Sequence, residues 1–292
     1  MQKGDFLASP FLVKAMFLEN LKKEALIHKI EYINMIPLIH ENYKSVIVAL
    51  LPYYAGEYYS CLSRYARGLD YHTTGRKILN SILEPLAKKY PFAYHIYVDV
   101  SPLNERELAL KAGLGVLGKN NLLINEKYGS YCFIATAVTN REAETEPLPI
   151  RHCIGCGACI RHCPGKAIRE DGVDYQRCLS RINQEKRISP EQEAFVGRQE
   201  ILWGCDVCQT VCPYNRQAKI SPIPDFTREL LLNVSGIEQL TNRTFREKYG
   251  KYAFAYKGKA IVERNWKLIK KKDEKDGNSP DGQKPQTAAK DD

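Results

Sequence analysis

Ten cysteines are the first feature of this 292-residue chain that carries chemistry. Cys61 and Cys132 stand apart, and the other eight lie between Cys153 and Cys212. Cys153-Ile-Gly-Cys156-Gly-Ala-Cys159-Ile-Arg-His-Cys163-Pro164 has the C-x2-C-x2-C-x3-C-P spacing with which bacterial ferredoxins hold iron–sulfur cubanes. In that run three thiolates grip one cluster and the fourth, before proline, grips another. Cys205-Asp-Val-Cys208-Gln-Thr-Val-Cys212-Pro213 repeats the end of the run but lacks one cysteine, which Cys178 upstream replaces. The exchange rule then assigns Cys153, Cys156, Cys159 and Cys212 to one 4Fe–4S cluster, and Cys163, Cys178, Cys205 and Cys208 to a second. Gly155 and Gly157 lack a Cβ and let the backbone wrap close to the sulfides. Zinc is the main rival, since paired C-x2-C also makes zinc sites, but an ion with four ligands gives the doubled C-x3-C-P no purpose. Disulfides are the weaker reading, because they suit small secreted scaffolds poor in core. His152 and His162 flank the ligands and read as packing or surface residues. By itself the cysteine pattern says that electrons pass through this region.

The rest of the chain must position those cysteines. With 44% hydrophobic and 26% charged residues it can bury one large core or two modest ones, which excludes wholesale disorder. No repeat period appears. No stretch approaches ~18 uninterrupted apolar residues, so no membrane span is expected. The first 24 residues carry Lys14 and Glu19 within their apolar stretch. They read as a helix rather than a secretory signal, and a cytoplasmic location is expected. Residues 45–51 read as a buried strand. Residues 73–89 carry Ile78, Leu79, Ile82, Leu83 and Leu86, the stripe of an amphipathic helix. A strand over 95–100 leads into Ser101-Pro102, an N-cap and first-turn proline for a helix over 104–112 that Gly113 ends. Strands over 122–124 and 131–138 follow, joined through a turn at 127–130. Strands alternating with helices predict an α/β layer architecture for residues 1–145. Residues 142–149 read as a linker, 146–222 as a ferredoxin-like double-cluster domain, 223–269 as a basic and aromatic segment, and 270–292 as a disordered tail.

Gly113-Leu-Gly115-Val-Leu-Gly118 matches G-x-G-x-x-G, but a helix precedes it and a strand follows, the reverse of a dinucleotide site. The same residues approach a phosphate-binding loop and lack its Ser/Thr. Backbone passing close to something flat or bulky explains the three glycines better.

Three further stretches stand in order: Ser63-Arg-Tyr-Ala-Arg-Gly-Leu-Asp70-Tyr71-His72, Val98-Asp99-Val-Ser-Pro-Leu-Asn-Glu105-Arg106, and Gly113 through Asn120 followed by Gly129-Ser130-Tyr131. Together with the cysteine region, over about residues 40–267, this set resembles the epoxyqueuosine reductases. The resemblance implies an α/β (α+β) cobalamin-binding domain joined to the double 4Fe–4S domain. It also implies an oxidoreductase that removes the epoxide oxygen of epoxyqueuosine at the wobble position of tRNA, fed by an external electron donor of flavodoxin or ferredoxin type and acting as a monomer. Residue by residue, it implies Asp99 as general acid and Ser63, Asp99, Asn120, Leu123 and Ile134 as cobalamin contacts; Ser63 stands where some relatives have cysteine. The amino-terminal segment is shorter than the family's, its first strand is not matched, and the helical repeats of longer relatives are not seen. For Asp99 to act as the acid, burial must raise its pKa towards neutrality.

The net charge is +9. Residues 241–267 hold eight Lys/Arg against Glu247 and Glu263, interleaved with Phe245, Tyr249, Tyr252, Phe254, Tyr256 and Trp266. Cations for phosphates and rings for unstacked bases suit a single-stranded loop, so Lys186, Lys251, Lys257, Lys259 and Arg264 are expected to contact tRNA. The competing reading is a solvated basic face with its aromatics turned into a core. Three other functions compete: a ferredoxin-type electron carrier, a corrinoid-dependent reductase of a small molecule, and a tRNA-binding protein with structural clusters.

Overall fold

The computed structural model describes residues 12–17, 43–142 and 147–276. Its centre is a four-stranded sheet ordered β1-β2-β6-β3. β1 (Leu12–Phe17) pairs antiparallel with β2 (Ser45–Pro52), Leu12 opposite Leu50. The helix expected at the start of the chain is thus corrected over these residues. The outer edge of β2 is a row of N–H and C=O groups that need partners, and an extended segment supplies them.

β2 is buried at every position. Both faces are covered, so a continuous apolar run suits it better than an alternating one. On one face lies α1 (Tyr71–Lys89), whose Leu79 and Leu83 pack on Ile47, Ala49 and Leu51. Asp70 caps this helix by accepting the His72 backbone N–H, which starts it two residues before the expected position 73. β3 (Tyr94–Val98) follows and stops one residue before Asp99, whose φ of +64° takes the chain out of the sheet. On the other face lies α2 (Glu105–Lys111), with Leu108 and Leu110 packed on Val46, Val48 and Leu50. Its cap is Asn104 rather than Ser101. Asn104 accepts the Glu107 N–H, while the Ser101 hydroxyl accepts Leu103 N–H in a local turn.

β4 (Val116–Leu117) and β5 (Leu123–Ile124) form a small hairpin. A Cβ on Gly115 would stand 2.5 Å from the Ile124 carbonyl oxygen, so what the glycine run approaches is its own hairpin. β6 (Cys132–Thr139) then pairs antiparallel with both β2 and β3. The pairing within this sheet is antiparallel throughout, so the expected layered domain is of the α+β kind.

The cysteine region is built of short pieces: α3 (Ala158–His162), the ribbon β7 (Ile168–Arg169) and β8 (Gly172–Val173), α4 (Leu179–Ile182), α5 (Pro190–Gly197) and α6 (Val207–Thr210). Beyond it come α7 (Pro224–Thr227), α8 (Asn242–Tyr249), a 3-10 turn over Ala253–Lys257, and α9 (Lys259–Asp276). These close a third core in which Phe245, Tyr249, Tyr252 and Phe254 surround Trp203 and Leu62. The aromatics expected to meet bases are thus mostly structural. Of the six, Trp266 packs at the edge of this core and Tyr256 alone is exposed. Burying these rings stabilises the fold by about 1.5–3 kcal/mol each, more than solvent-facing stacking offers an unbound protein. The tail expected to be disordered begins as helix, since α9 runs to Asp276. Residues 143–146 of the expected linker and 277–292 of the tail lie outside the described residues.

Isolated bridges stitch the halves together: Leu62 with Trp203, Leu69 with Tyr252, and Leu117 with His152.

Candidate functional site

Where β3 ends and α1 begins, four ionisable side chains meet. The His72 Nδ1 lies 2.7 Å from Asp70 Oδ1 and its Nε2 lies 3.3 Å from Asp99 Oδ2. The Asp70 bond raises the imidazole pKa, the Asp99 bond adds to it, and together they overcome burial and lift it to about 9. His72 is therefore an imidazolium at neutral pH, donating from both nitrogens. The bond from His72 holds Asp99 below the usual carboxylate range against the opposing effect of burial, and the Tyr71 hydroxyl and Lys257 add to the effect. Burial pushes Asp70 up, but the His72 side chain and backbone N–H outweigh it and hold Asp70 low. Tyr71 stacks on His72 and is pushed up mainly by burial, so it stays a phenol.

The expectation of an Asp99 carboxyl raised by burial is corrected. More than half of its side chain is open (57%), and its neighbours are cationic or donors. The group titrating near neutrality is Glu105. Burial and then the Asp99 charge lift it to about 7, although Thr136 and the Asp99 backbone N–H bond to it. His72, Asp70 and Glu105 lie in the stretches that carry the resemblance, and the sequence alone gives them no role. A histidine two residues after an N-cap aspartate was the available signal.

The thiols gather in two sets. Cys159 feels the charge of Cys153 and Cys212, and Cys212 that of Cys156 and Cys153. Cys205 feels Cys178 and Cys163, and Cys208 feels Cys205 and Cys178. The first set lines a cleft with Gly118, Lys119, Asn120 and Tyr214. Gly157 enters α3 at φ +70°, a left-handed turn that lets the loop fold back over the cleft. Among the described residues, no three His, Cys, Asp or Glu side chains converge on a single ion. The thiols stand around a space, as ligands of a cubane must. Burial pushes Cys205 up to about 12, a cost that binding iron as thiolate removes.

This cysteine region is locked to the sheet domain by buried polar groups. Asp206 accepts from the Ser63 hydroxyl at 2.8 Å and from Arg64 N–H at 2.7 Å. Gln209 accepts from the Tyr53 and Ser130 hydroxyls, and Asn215 accepts the Ser130 N–H at 2.7 Å.

Of the residues matched to cobalamin contacts, Ser63 is enclosed, with its hydroxyl spent on Asp206, and Leu123 lies in the core beside α2. Ile134 is half-buried at the edge of that core. Asn120 lines the cleft of the first thiol set and bonds to Cys208 of the second. A cofactor held by Asn120 would stand against both sets, so the donor arrangement fits an electron acceptor there. Asp99 is open.

The cations expected to meet tRNA divide. Arg264 is turned inward, donating to the Glu185 carbonyl at 2.7 Å and to Asn265 Oδ1 at 2.8 Å. Lys259 is largely covered and pairs with Glu263 at 2.6 Å. Lys251 pairs with Glu229 at the surface. Lys186 is exposed, and Lys257 is exposed with Nζ 3.1 Å from the Gln184 carbonyl.

Two family models match the chain: one described as epoxyqueuosine reductase QueG, DUF1730, over residues 36–100, and one as a 4Fe–4S double cluster binding domain over residues 152–215. The second spans all eight clustered cysteines. The epoxyqueuosine reductase of Lactococcus garvieae is 37% identical over 212 residues, 70% of this chain and 59% of that protein. That of Leadbetterella byssophila is 34% identical over 235 residues, 78% of this chain and 77% of that protein. The chain spans about half to three-fifths of the length of several of the curated relatives it matches. An epoxyqueuosine reductase solved with an epoxyqueuosine-modified tRNA stem loop superposes with a TM-score of 0.72 at 25% identity, covering 89% of this chain and 76% of that one.

Proposed function

The chain belongs to the epoxyqueuosine reductase family, and on that premise we propose that it reduces epoxyqueuosine to queuosine at the wobble position of tRNA, using cobalamin and its two 4Fe–4S clusters. The observation that carries this reading is the placing of the Asp99–His72–Asp70 group and two four-thiol sets in one stitched body.

Removing an epoxide oxygen as water consumes two electrons and two protons. Cys153, Cys156, Cys159 and Cys212 would hold one cluster and Cys163, Cys178, Cys205 and Cys208 the other, and these would supply one-electron transfer from an external donor of flavodoxin or ferredoxin type. Asp99, Asn120 and Ile134 are the matched residues left to hold cobalamin; Leu123 lies in the core on which Ile134 packs, and Ser63 is spent on Asp206. When bound, cobalamin supplies a cobalt that takes single electrons and engages carbon as no side chain does.

His72 holds a proton at Nε2 against the Asp99 carboxylate. Transfer along that bond leaves a neutral imidazole and a protonated Asp99, whose open face delivers one proton to the departing oxygen; the second proton needed to release water comes from solvent, to which Asp99 is open. Asp99, a carboxylate at rest, is thus the delivering group, and His72 is the source of the proton it passes on. Lys186 and Lys257 remain as surface cations for the tRNA backbone. The protein works on its tRNA as a monomer.

The test is anaerobic incubation of iron-reconstituted protein with epoxyqueuosine tRNA, cobalamin and a reductant, followed by nucleoside mass analysis. Queuosine should form only with cobalamin present, by protein holding about eight irons per chain. Unchanged epoxyqueuosine with fully loaded protein would overturn the reading.

A further inference from the structure

Five of the six aromatic rings in residues 245–266 pack in or against the third core. The sixth, Tyr256, is 64% exposed. Its position is set by its neighbours. The turn over Ala253–Lys257 is anchored by Phe254, which is fully buried and meets Trp203, Phe245 and Tyr249 edge-on or tilted. A 3-10 turn advances three residues per revolution, so a residue two places after a buried one points away from the core. Lys257 is tied to the Gln184 carbonyl, and Gly258 closes the turn through the Ala255 carbonyl at 3.0 Å. The ring is therefore presented on a fixed support.

The turn is also fastened to the catalytic group. Asp70 N–H donates to the Lys251 carbonyl at 2.8 Å, and Leu69 bridges Tyr252. These contacts place the Tyr256 ring 6.2 Å from the His72 ring, whose Nε2 bonds Asp99. Lys257 stands over the Tyr256 ring, 5.5 Å from its centroid, and acts on the Asp99 charge. An open ring with an adjacent cation, beside the group that handles protons, matches how proteins hold an unstacked nucleotide: a π-face for the base and a charge for its phosphate.

We propose that Tyr256 is a stacking platform for a nucleobase of the substrate tRNA, holding the wobble nucleoside or its loop neighbour at Asp99, with Lys257 on the flanking phosphate. This rests on the reading of the substrate as a tRNA loop. Stacking needs the ring and not the hydroxyl, so Tyr256→Phe should behave as the parent and Tyr256→Ala should not.

The experiment measures affinity for an epoxyqueuosine anticodon stem loop, steady-state turnover, and cobalamin uptake, using iron-loaded full-length protein. Tyr256→Ala should weaken stem-loop affinity and raise KM by about 5- to 150-fold, the range for losing one stacked base. Its iron content and cobalamin uptake should stay unchanged. Equal affinity of Tyr256→Ala and parent overturns the platform while leaving the proposed function intact. A loss shared by Tyr256→Phe assigns a hydroxyl hydrogen bond and overturns stacking. A loss of cobalamin uptake by Tyr256→Ala makes the ring a cofactor contact and also overturns it. A parent protein that neither binds the stem loop nor turns it over removes the function and this inference together.

Discussion

Replacing Asp70 by asparagine tests the proton reserve at His72 most directly. Asp70 makes the largest contribution to the raised imidazole pKa of about 9, and Asp99 the next. At pH 7.5 a group with that pKa is about 97% protonated, whereas an ordinary imidazole of pKa ~6.5 is about 9% protonated. The charged form exists below the folded pKa, so turnover that draws on it is present at neutral pH and lost as pH rises through about 9. Asp70→Asn keeps the helix cap and most of the shape but removes the charge. Asp99 remains as a partner, so the alkaline limb should fall to a position between pH ~6.5 and about 9. The assay is single-turnover queuosine formation between pH 6 and 9.5, on protein of constant iron and cobalamin content. A histidine-selective NMR titration of the six histidines reads the same pKa without catalysis. His72→Gln should lose the limb altogether. An alkaline limb in Asp70→Asn that coincides with the parent's, or a parent-like profile in His72→Gln, refutes the argument.

Two other variants follow from the same geometry. Glu105 ionises more easily unfolded than folded, where it titrates near 7, so its contribution to stability falls as pH rises from ~4.5 through 7. Glu105→Gln should therefore gain about 1–3 kcal/mol in urea melts at pH 8 and nothing at pH 4; an equal gain at both would show that its charge is not the cause. Arg264→Ala leaves the Glu185 carbonyl and Asn265 without their donor and should cost roughly 2–4 kcal/mol of stability while stem-loop affinity holds. Weakened RNA binding at parental stability would return Arg264 to the RNA surface.

The cysteine pattern was the most legible feature, because a cubane fixes ligand spacing along the chain. Cys159 feels the charge of Cys153 and Cys212, and Cys205 that of Cys178 and Cys163, the neighbours that spacing assigns to each. The strand at 45–51 and the helices of residues 71–111 were legible from apolar runs and periodicity. Strand pairing was not, because alternation fixes element order and leaves direction open: β3 joins β6 rather than β2. β1 was missed, since a short apolar stretch of mixed propensity is decided by the edge it meets. The state of Asp99 was misread for a related reason. Its position after an apolar strand suggested burial, whereas the left-handed step at φ +64° carries it outward to a histidine from another element. Composition likewise marked residues 241–267 as basic and aromatic but could not separate Phe254, which is core, from Tyr256, which is not.

On the proposed ligand sets, each cage takes cysteines from both ends of its region: Cys212 completes the cage begun by Cys153, and Cys205 and Cys208 that begun by Cys163. A ribosome making this chain in order finishes the second cage only at residue 208 and the first only at residue 212. The sheet is by then already synthesised, and Ser130 and Tyr53 still await Gln209 and Asn215. Iron insertion must therefore wait until residues 205–212 are made, and that one loop both completes the metal cages and docks them against the waiting sheet.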